Sequence, residues 1–404
     1  MNRFRRGFCR TYQAAFRMAM PVLPYREPER FGSVAELETV FRRMGTKSVL
    51  LVTDPFIRKA GLTKSFEELC ARLGIKCPVY DGTRANPTVE NVEEARWIYL
   101  KEKCSCLAAI GGGSAIDCAK AIGARVVYPK RTLQQMKGTL RLFRKIPPLI
   151  AIPTTAGTGS EITPTAVLTD EGVKHKYTMN DFVLIPSFAV HDPEMTRTLP
   201  PSLTATTGMD ALTHAVEAYI GQSTTKETRR LAIDAVKLIF GNVEQAYRDG
   251  NDMTARRNML MASYYAGHAF SKSYVGYVHA VAHSLGGQYN IPHGLANSVL
   301  LPHVLEAYGP AIHGKLRELA VAVGLADGKE SEEIAANRFI VAIRGLNARM
   351  GIPETLKGIR REDIPIMAAH ADREGNPLYP VPVLMDAGEL EKLYEAVMDG
   401  GEEK

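Results

Sequence analysis

Five side chains in the second half of the chain have the types and spacing to meet at a metal ion. In TGMDALTHAVEAY, Asp210 and His214 stand four residues apart at the start of a helical pattern, so both project from one face. HAVAHSLGGQYNIPHG repeats that spacing with His279 and His283 and adds His293 in the turn-like NIPHG. A lone helical histidine is more often a satisfied core or surface residue, but two tight clusters reverse that expectation. One carboxylate and several imidazoles without a thiolate suit a divalent ion such as Fe(II), Zn(II), Ni(II) or Mn(II). Spacing does not choose among the histidines: Asp210, His214, His279 and His283 make a reasonable set, with His293 left as a turn residue.

A second group of residues suits a nucleotide. CLAAIGGGSAIDCAK runs an apolar strand into three glycines and a helix, and glycines let backbone N–H groups at a helix start approach a pyrophosphate. The pattern is not G-x-G-x-x-G, because Ile116 stands at the third glycine, and a tight turn with Ser114 as N-cap explains it equally well. IPTTAGTGSEIT follows the next strand and sets Thr154, Thr155, Thr158, Ser160 and Thr163 around two glycines. In open parallel sheets ligands bind beyond the carboxyl ends of the strands, where both turns must lie. Asp54, ahead of Pro55, reads as a helix N-cap; its carboxylate also suits ribose hydroxyls and would repel a 2′-phosphate, favouring NAD over NADP.

The elements that position these groups alternate from about residue 47 to 192. KSVLLVTD, IKCPVYD, CLAAIGGGS, PLIAIPTT and SFAVHDPE read as strands, with FEELCARLG, TVENVEEARWIYLKEK and SAIDCAKAIGARVVY as helices between them, which predicts a parallel α/β sheet. Beyond DPEMTRTLPPS the strand signal stops, and ALTHAVEAYI, TRRLAIDAVKLIFGNVEQAY and EEIAANRFIVAIRGLNARM carry helical periodicity. The expected domains are 1–195, an α/β nucleotide-binding domain with a helical extension at 1–28, and 196–404, an all-helical metal-binding domain.

At 404 residues and 45% hydrophobic the chain can bury two sizeable cores, which excludes disordered and fibrous classes. Its net charge of +6 is spread among 44 acidic residues, so it indicates attraction for phosphate-bearing cofactors and no nucleic-acid partner. The six cysteines lack paired CxxC spacing and read as reduced thiols. The acid-free amino terminus lacks the apolar core of a secretory signal, and nothing later predicts a membrane span. Phe4, Phe8, Tyr12 and Phe16, four residues apart, predict an amphipathic helix docked by that face.

GGGSAIDCAK, PTTAGTGSEIT, DPEMTRTLPPSLTATTGMDALTHAVEAY and HAVAHSLGGQYNIPHGLANSVLLPHV resemble, in order, the motifs of the iron-containing (group III) alcohol dehydrogenases, from about residue 30 to the carboxyl end. The resemblance implies the dehydroquinate synthase-like fold, an α/β dinucleotide-binding domain plus an all-α metal-binding domain. It implies hydride transfer between NAD(H) and a small primary alcohol, diol or aldehyde, with Fe(II), or Zn, Ni or Mn in its place. The family's ligand pattern falls on Asp210, His214, His279 and His293, and leaves His283 as the catalytic residue near nicotinamide and substrate. Cofactor contacts fall on Asp54, Gly112, Gly113, Ser114, Asp117, Thr154, Thr155, Thr163 and Lys176, with Asn86 in RANPTVEN as a further candidate. A cytoplasmic homodimer or higher homo-oligomer acting on a small molecule, with no nucleic-acid or membrane partner, is the expectation. Two other readings are a dehydroquinate synthase-like lyase with bound NAD, for whose polyanionic substrate the helical motifs supply few basic groups, and a non-enzymatic nucleotide- or metal-binding protein that binds NADH without turnover.

Overall fold

The computed structural model describes residues 1–20, 24–170 and 175–400. The side chains of residues 170, 175 and 176 fall outside the described set, and with them the expected cofactor contact Lys176. Contacts divide the chain into Pro24–Leu199 and a second unit made of Met1–Leu23 with Pro200–Lys404.

Among the described residues of the first unit nine strands form two sheets: β1 (Glu29–Phe31), β2 (Val49–Val52), β3 (Val79–Tyr80), β4 (Cys106–Gly111), β5 (Gly138–Thr139), β6 (Leu149–Pro153), β7 (Thr165–Asp170), β8 (His175–Asn180) and β9 (Phe188–Val190). Six run parallel in the order β1-β9-β6-β4-β2-β3, and β5-β8-β7 makes a small second sheet. Every residue of β2, β4 and β6 is buried, as apolar runs covered on both faces require. Alternation splits them: Leu50, Val52, Leu107, Ala109, Leu149 and Ala151 join one core, and Val49, Leu51, Ala108, Ile110, Ile150 and Ile152 the other. The helices are α2 (Leu37–Met44), α3 (Pro55–Lys59), α4 (Lys64–Arg72), α5 (Val89–Lys101), α6 (Gly113–Val127) and α7 (Leu133–Met136), after α1 (Arg3–Ala19), which belongs to the second unit.

The strand order has a functional consequence. From β2 the chain steps outward to β3, then returns to place β4 on the other side of β2 and continues to β6. The β2–β4 pair is therefore the topological switch point, and because β2, β4 and β6 are parallel neighbours, Asp54, the glycine turn and the Thr154 turn all leave the same edge. The five strands expected from apolar runs are present; β1 and the β5-β8-β7 sheet had no clear sequence signal.

The second unit is helical: α8 (Pro201–Ile220), α9 (Lys226–Arg248), α10 (Met253–Ser273), α11 (Tyr277–Tyr289), α12 (His293–Tyr308), α13 (His313–Ala322), α14 (Glu332–Arg349), α15 (Ile364–Gly375) and α16 (Ala387–Val397). No helix among the described residues is long and apolar enough to cross a membrane. The amino-terminal helix clusters with this unit, whereas the expected boundary grouped residues 1–28 with the α/β domain.

The docked face of α1 also differs from expectation. Phe4 is 88% exposed, Phe8 56% and Tyr12 41%, and of the stripe Phe16 alone is half-buried, edge-on to Tyr274 at 5.1 Å, while Cys9 and Gln13 are buried. Arg5 makes a two-pronged ion pair with Asp372 at 2.7 and 2.8 Å, Arg10 donates to the carbonyls of Val381 and Pro382, and Gln13 donates to those of Pro377 and Tyr379. The segment after α15 has no regular ladder, so its carbonyls need side-chain donors, and the polar face supplies them.

Candidate metal centre and cofactor turns

Helix α8 is sunk in the second unit, with every residue from Gly208 to Ile220 buried. Its period places Asp210, His214 and Glu217 on one face at i, i+4 and i+7. Helix α11 contributes His279 and His283, and His293 opens α12 just after Pro292. One ligand atom each from Asp210, His214, His279 and His293 lies within 4.8 Å of all the others. His283 is outside that group; its Nδ1 lies 2.6 Å from Glu374 Oε1.

The donor set fits a divalent ion. From Asp210 Oδ1 the distances are 3.6 Å to His293 Nε2, 3.9 Å to His279 Nε2 and 4.0 Å to His214 Nδ1. Two atoms bound tetrahedrally at about 2.1 Å from one ion stand roughly 3.4 Å apart, so these spacings are close to a shared ion's and too long for direct hydrogen bonds. Three of the four atoms face one donor: the Asn297 amide nitrogen is 2.6 Å from Asp210 Oδ1, 3.0 Å from His293 Nε2 and 3.2 Å from His279 Nε2. The cage is thus a set of converging lone pairs. The buried Asn297 Oδ1 finds no hydrogen-bond partner among the described residues.

The surroundings hold the ligand atoms in place. Glu217 accepts from His279 Nδ1 at 2.6 Å and from the Val278 N–H at 2.8 Å, which turns the other ring nitrogen, Nε2, toward Asp210. Gly276 permits this approach: a Cβ there would lie 2.7 Å from Glu217 Oε1. Burial, with the neighbouring histidine charges, keeps His279 well below the usual imidazole range, in the neutral form a ligand needs. Burial pushes the Glu217 carboxyl up, and the Gly276 and Val278 N–H groups that it accepts from pull the other way. The Phe270 ring stacks on His214 with centroids 4.3 Å apart.

At the sheet edge Asp54 caps α3, its Oδ1 accepting from the N–H groups of Phe56 and Ile57 at 2.9 Å. Its Oδ2 lies beside Gly111, so capping leaves the second oxygen at the glycine turn. Gly112, not Ser114, occupies the N-cap of α6. The Ser114 hydroxyl donates instead to the Ala85 carbonyl, next to the exposed Asn86. A Cβ on Gly113 would stand 2.9 Å from Thr158, so the two turns interlock there. Thr154 is buried and Thr155 half-buried against Gly112.

Asp117 and Thr163, expected at the cofactor, are engaged internally. Asp117 accepts from Ser160 Oγ at 2.6 Å and from the Val167 N–H at 2.9 Å, and Thr163 Oγ1 accepts from Lys120 Nζ at 3.1 Å. Lys120, wholly buried, also donates to Ser160 Oγ and to the carbonyls of Thr163 and Thr165. The sequence reading missed Glu217, Asn297, Lys120 and Glu374. Glu217 and Lys120 carried a signal, falling three residues after His214 and Asp117 on the same helix face, and Asn297 follows His293 by four. Glu374 carried none.

Two glycine-containing turns at the switch point of a parallel sheet and a carboxylate–imidazole cage in a helical unit are the parts of a protein that binds a nucleotide and a divalent metal. Residues 29–193 match the family model for iron-containing alcohol dehydrogenase, and 204–398 match that for the carboxyl-terminal part of the Fe-containing alcohol dehydrogenase family. The 1,3-propanediol dehydrogenase of Klebsiella pneumoniae is 40% identical over 337 residues, covering 82% of this chain and 87% of its own. The crystal structure of a 1,3-propanediol oxidoreductase superposes with a TM-score of 0.88 at 36% identity, covering 92% of this chain and 99% of its own. The sulfoacetaldehyde reductase of Bifidobacterium kashiwanohense, solved in complex with NAD+, gives 0.83 at 30%, covering 93% and 98%. The chain belongs to the iron-containing alcohol dehydrogenase family. It is an NAD- and divalent-metal-dependent oxidoreductase of small alcohols and aldehydes.

Proposed function

We propose that Asp210, His214, His279 and His293 hold the divalent ion, Fe(II) with Zn, Ni or Mn as substitutes, and that Asp54, Asn86, Gly112, Gly113, Ser114, Thr154 and Thr155 bind NAD for the reversible oxidation of a short primary alcohol or diol to its aldehyde. The observation that carries this reading is the convergence of Asp210 Oδ1, His279 Nε2 and His293 Nε2 on one donor, backed by Glu217 behind His279. The relatives named for 1,3-propanediol and sulfoacetaldehyde support a small substrate with a second polar group.

When bound, the ion supplies a Lewis acid for the substrate oxygen and NAD supplies the hydride acceptor. The chain's own residues do the rest. Glu217 keeps hydrogen on His279 Nδ1, so Nε2 presents its lone pair. Asp54 uses one oxygen to cap α3 and offers the other to the ribose, where its charge disfavours a 2′-phosphate. Backbone N–H groups at the start of α6 face the pyrophosphate. His283, outside the cage, accepts the substrate proton in oxidation and returns it in reduction. Lys176 completes the cofactor set, whereas Asp117 and Thr163 serve it by bracing the second turn through Lys120. The six free cysteines support an assignment to the cytoplasm, and a homodimer or higher homo-oligomer is the proposed assembly.

The test is metal per chain and NADH oxidation with a panel of short aldehydes and hydroxyaldehydes. His279→Ala and His293→Ala should lose metal and activity together. His283→Ala should keep metal and NADH binding and lose about 10²-fold or more in rate. Metal retained by the His293 variant and lost by the His283 variant would move the ligand assignment, and full turnover by metal-free protein would end the reading.

A further inference from the structure

Outside the cage, His283 is held from two sides. Its ring stacks on that of His293, with centroids 5.2 Å apart and planes 17° from parallel, and stands edge-on to His279 at 6.0 Å. At its edge, Nδ1 meets Glu374 Oε1 at 2.6 Å, and the same oxygen accepts from the Tyr379 hydroxyl at 2.7 Å. Glu374 lies in the last turn of α15, and Tyr379 in the irregular segment that follows. Stacking alone leaves an imidazole free to exchange its two nitrogens by a ring flip. A carboxylate at one edge removes that freedom, because it accepts hydrogen and offers none.

We propose that Glu374, braced by Tyr379, is a positioning residue that keeps hydrogen on His283 Nδ1 and so presents Nε2 as the nitrogen that meets substrate. The inference rests on the reading of His283 as the group that exchanges the substrate proton. The Glu374 oxygen that meets His283 Nδ1 also accepts from the Tyr379 hydroxyl, so it faces two hydrogens and serves as an acceptor to both. A carboxylate behind a histidine fixes tautomer and orientation in many sites, and its loss commonly costs about 10- to 100-fold in activity.

Glu374→Ala should therefore lower kcat by about 10- to 100-fold while leaving metal per chain and NADH affinity unchanged. Glu374→Gln retains an acceptor oxygen and should recover most of the rate, and Tyr379→Phe should show a smaller loss of the same kind. The double variant His283→Ala/Glu374→Ala should be no slower than His283→Ala. In 15N spectra of histidine-labelled, Zn(II)-loaded protein, the parent should carry hydrogen on His283 Nδ1, and Glu374→Ala should shift it toward Nε2. Parental kcat in Glu374→Ala, a double variant that multiplies the two losses, or an unchanged Nδ1 hydrogen would overturn the proposal. A His283→Ala variant at parental rate would instead remove the acid–base reading of His283, and the 15N spectra would still decide whether Glu374 holds the ring.

Discussion

Replacing Lys120 with methionine tests the strut beneath the two cofactor turns. The ammonium donates to Ser160 Oγ, Thr163 O, Thr163 Oγ1 and Thr165 O over 2.7–3.1 Å and stands 3.7 Å from Asp117 Oδ1. Methionine keeps the stem, deletes every one of these bonds and leaves a buried carboxylate without its cation. Removing one partner of a buried pair costs roughly 3–5 kcal/mol. Asp117 retains hydrogen bonds from Ser160 and Val167, which places the expected loss at the lower end, about 3 kcal/mol. At about 2–4 °C per kcal/mol, Tm should fall by roughly 6–12 °C. NADH affinity should weaken with it, because Ser160 and Thr163 belong to the second turn.

The sign of the pH dependence gives a second check. Burial lowers the Lys120 ammonium from 10.5 to about 8, against the opposing charges of Asp117 and Glu161. The folded state therefore binds this proton more weakly than the unfolded chain, and stability rises with pH from about 8 toward 10.5. The parent has this gain and the methionine variant lacks it. Between about pH 7.5 and 9.5 Lys120 itself should give the parent roughly 2 kcal/mol over the variant, and Asp117, raised by burial and in the variant no longer held down by the ammonium, widens that gap. Urea unfolding at the two pH values, followed by circular dichroism, measures both quantities. A variant within about 1 kcal/mol of the parent at pH 7.5, or a gap that narrows as pH rises, would refute the reasoning.

Glu217→Ala should weaken metal affinity by about 10- to 100-fold in chelator competition, because His279 loses the partner that aims Nε2; unchanged affinity would reduce Glu217 to a helix contact. Asp54→Gly should raise the kcat/KM ratio of NADP to NAD by removing charge beside the ribose, and an unchanged ratio would leave Asp54 as the cap of α3 alone. Arg5→Ala should lower stability by about 1–2 kcal/mol in the same urea assay, since Asp372 loses a two-pronged partner, and no loss would show that Arg10 and Gln13 suffice to dock α1.

The amino-acid sequence by itself determined whatever depends on short-range period and backbone freedom. The buried strands are legible as apolar runs because both faces of β2, β4 and β6 are covered. The Asp54 cap, the glycine turn and the shared face of Asp210 and His214 follow from residues within one or two turns of each other. Tertiary structure decided the rest. His283 shares a helix face with His279, and His293 sits across a turn, so spacing left the choice between them open; the entry of α12 brings His293 Nε2 to 3.6 Å from Asp210 Oδ1, and His283 Nδ1 meets Glu374, 91 residues on in the chain. The motif resemblance had pointed to His293, which local geometry alone could not do. On α1 the aromatic stripe looked like the docking face, yet the unladdered carbonyls near Tyr379 needed donors, and Arg10 and Gln13 turned the polar face inward. A helix period shows which side chains travel together, but which of its faces is buried depends on what the distant chain offers it, and that exists only once the chain has folded.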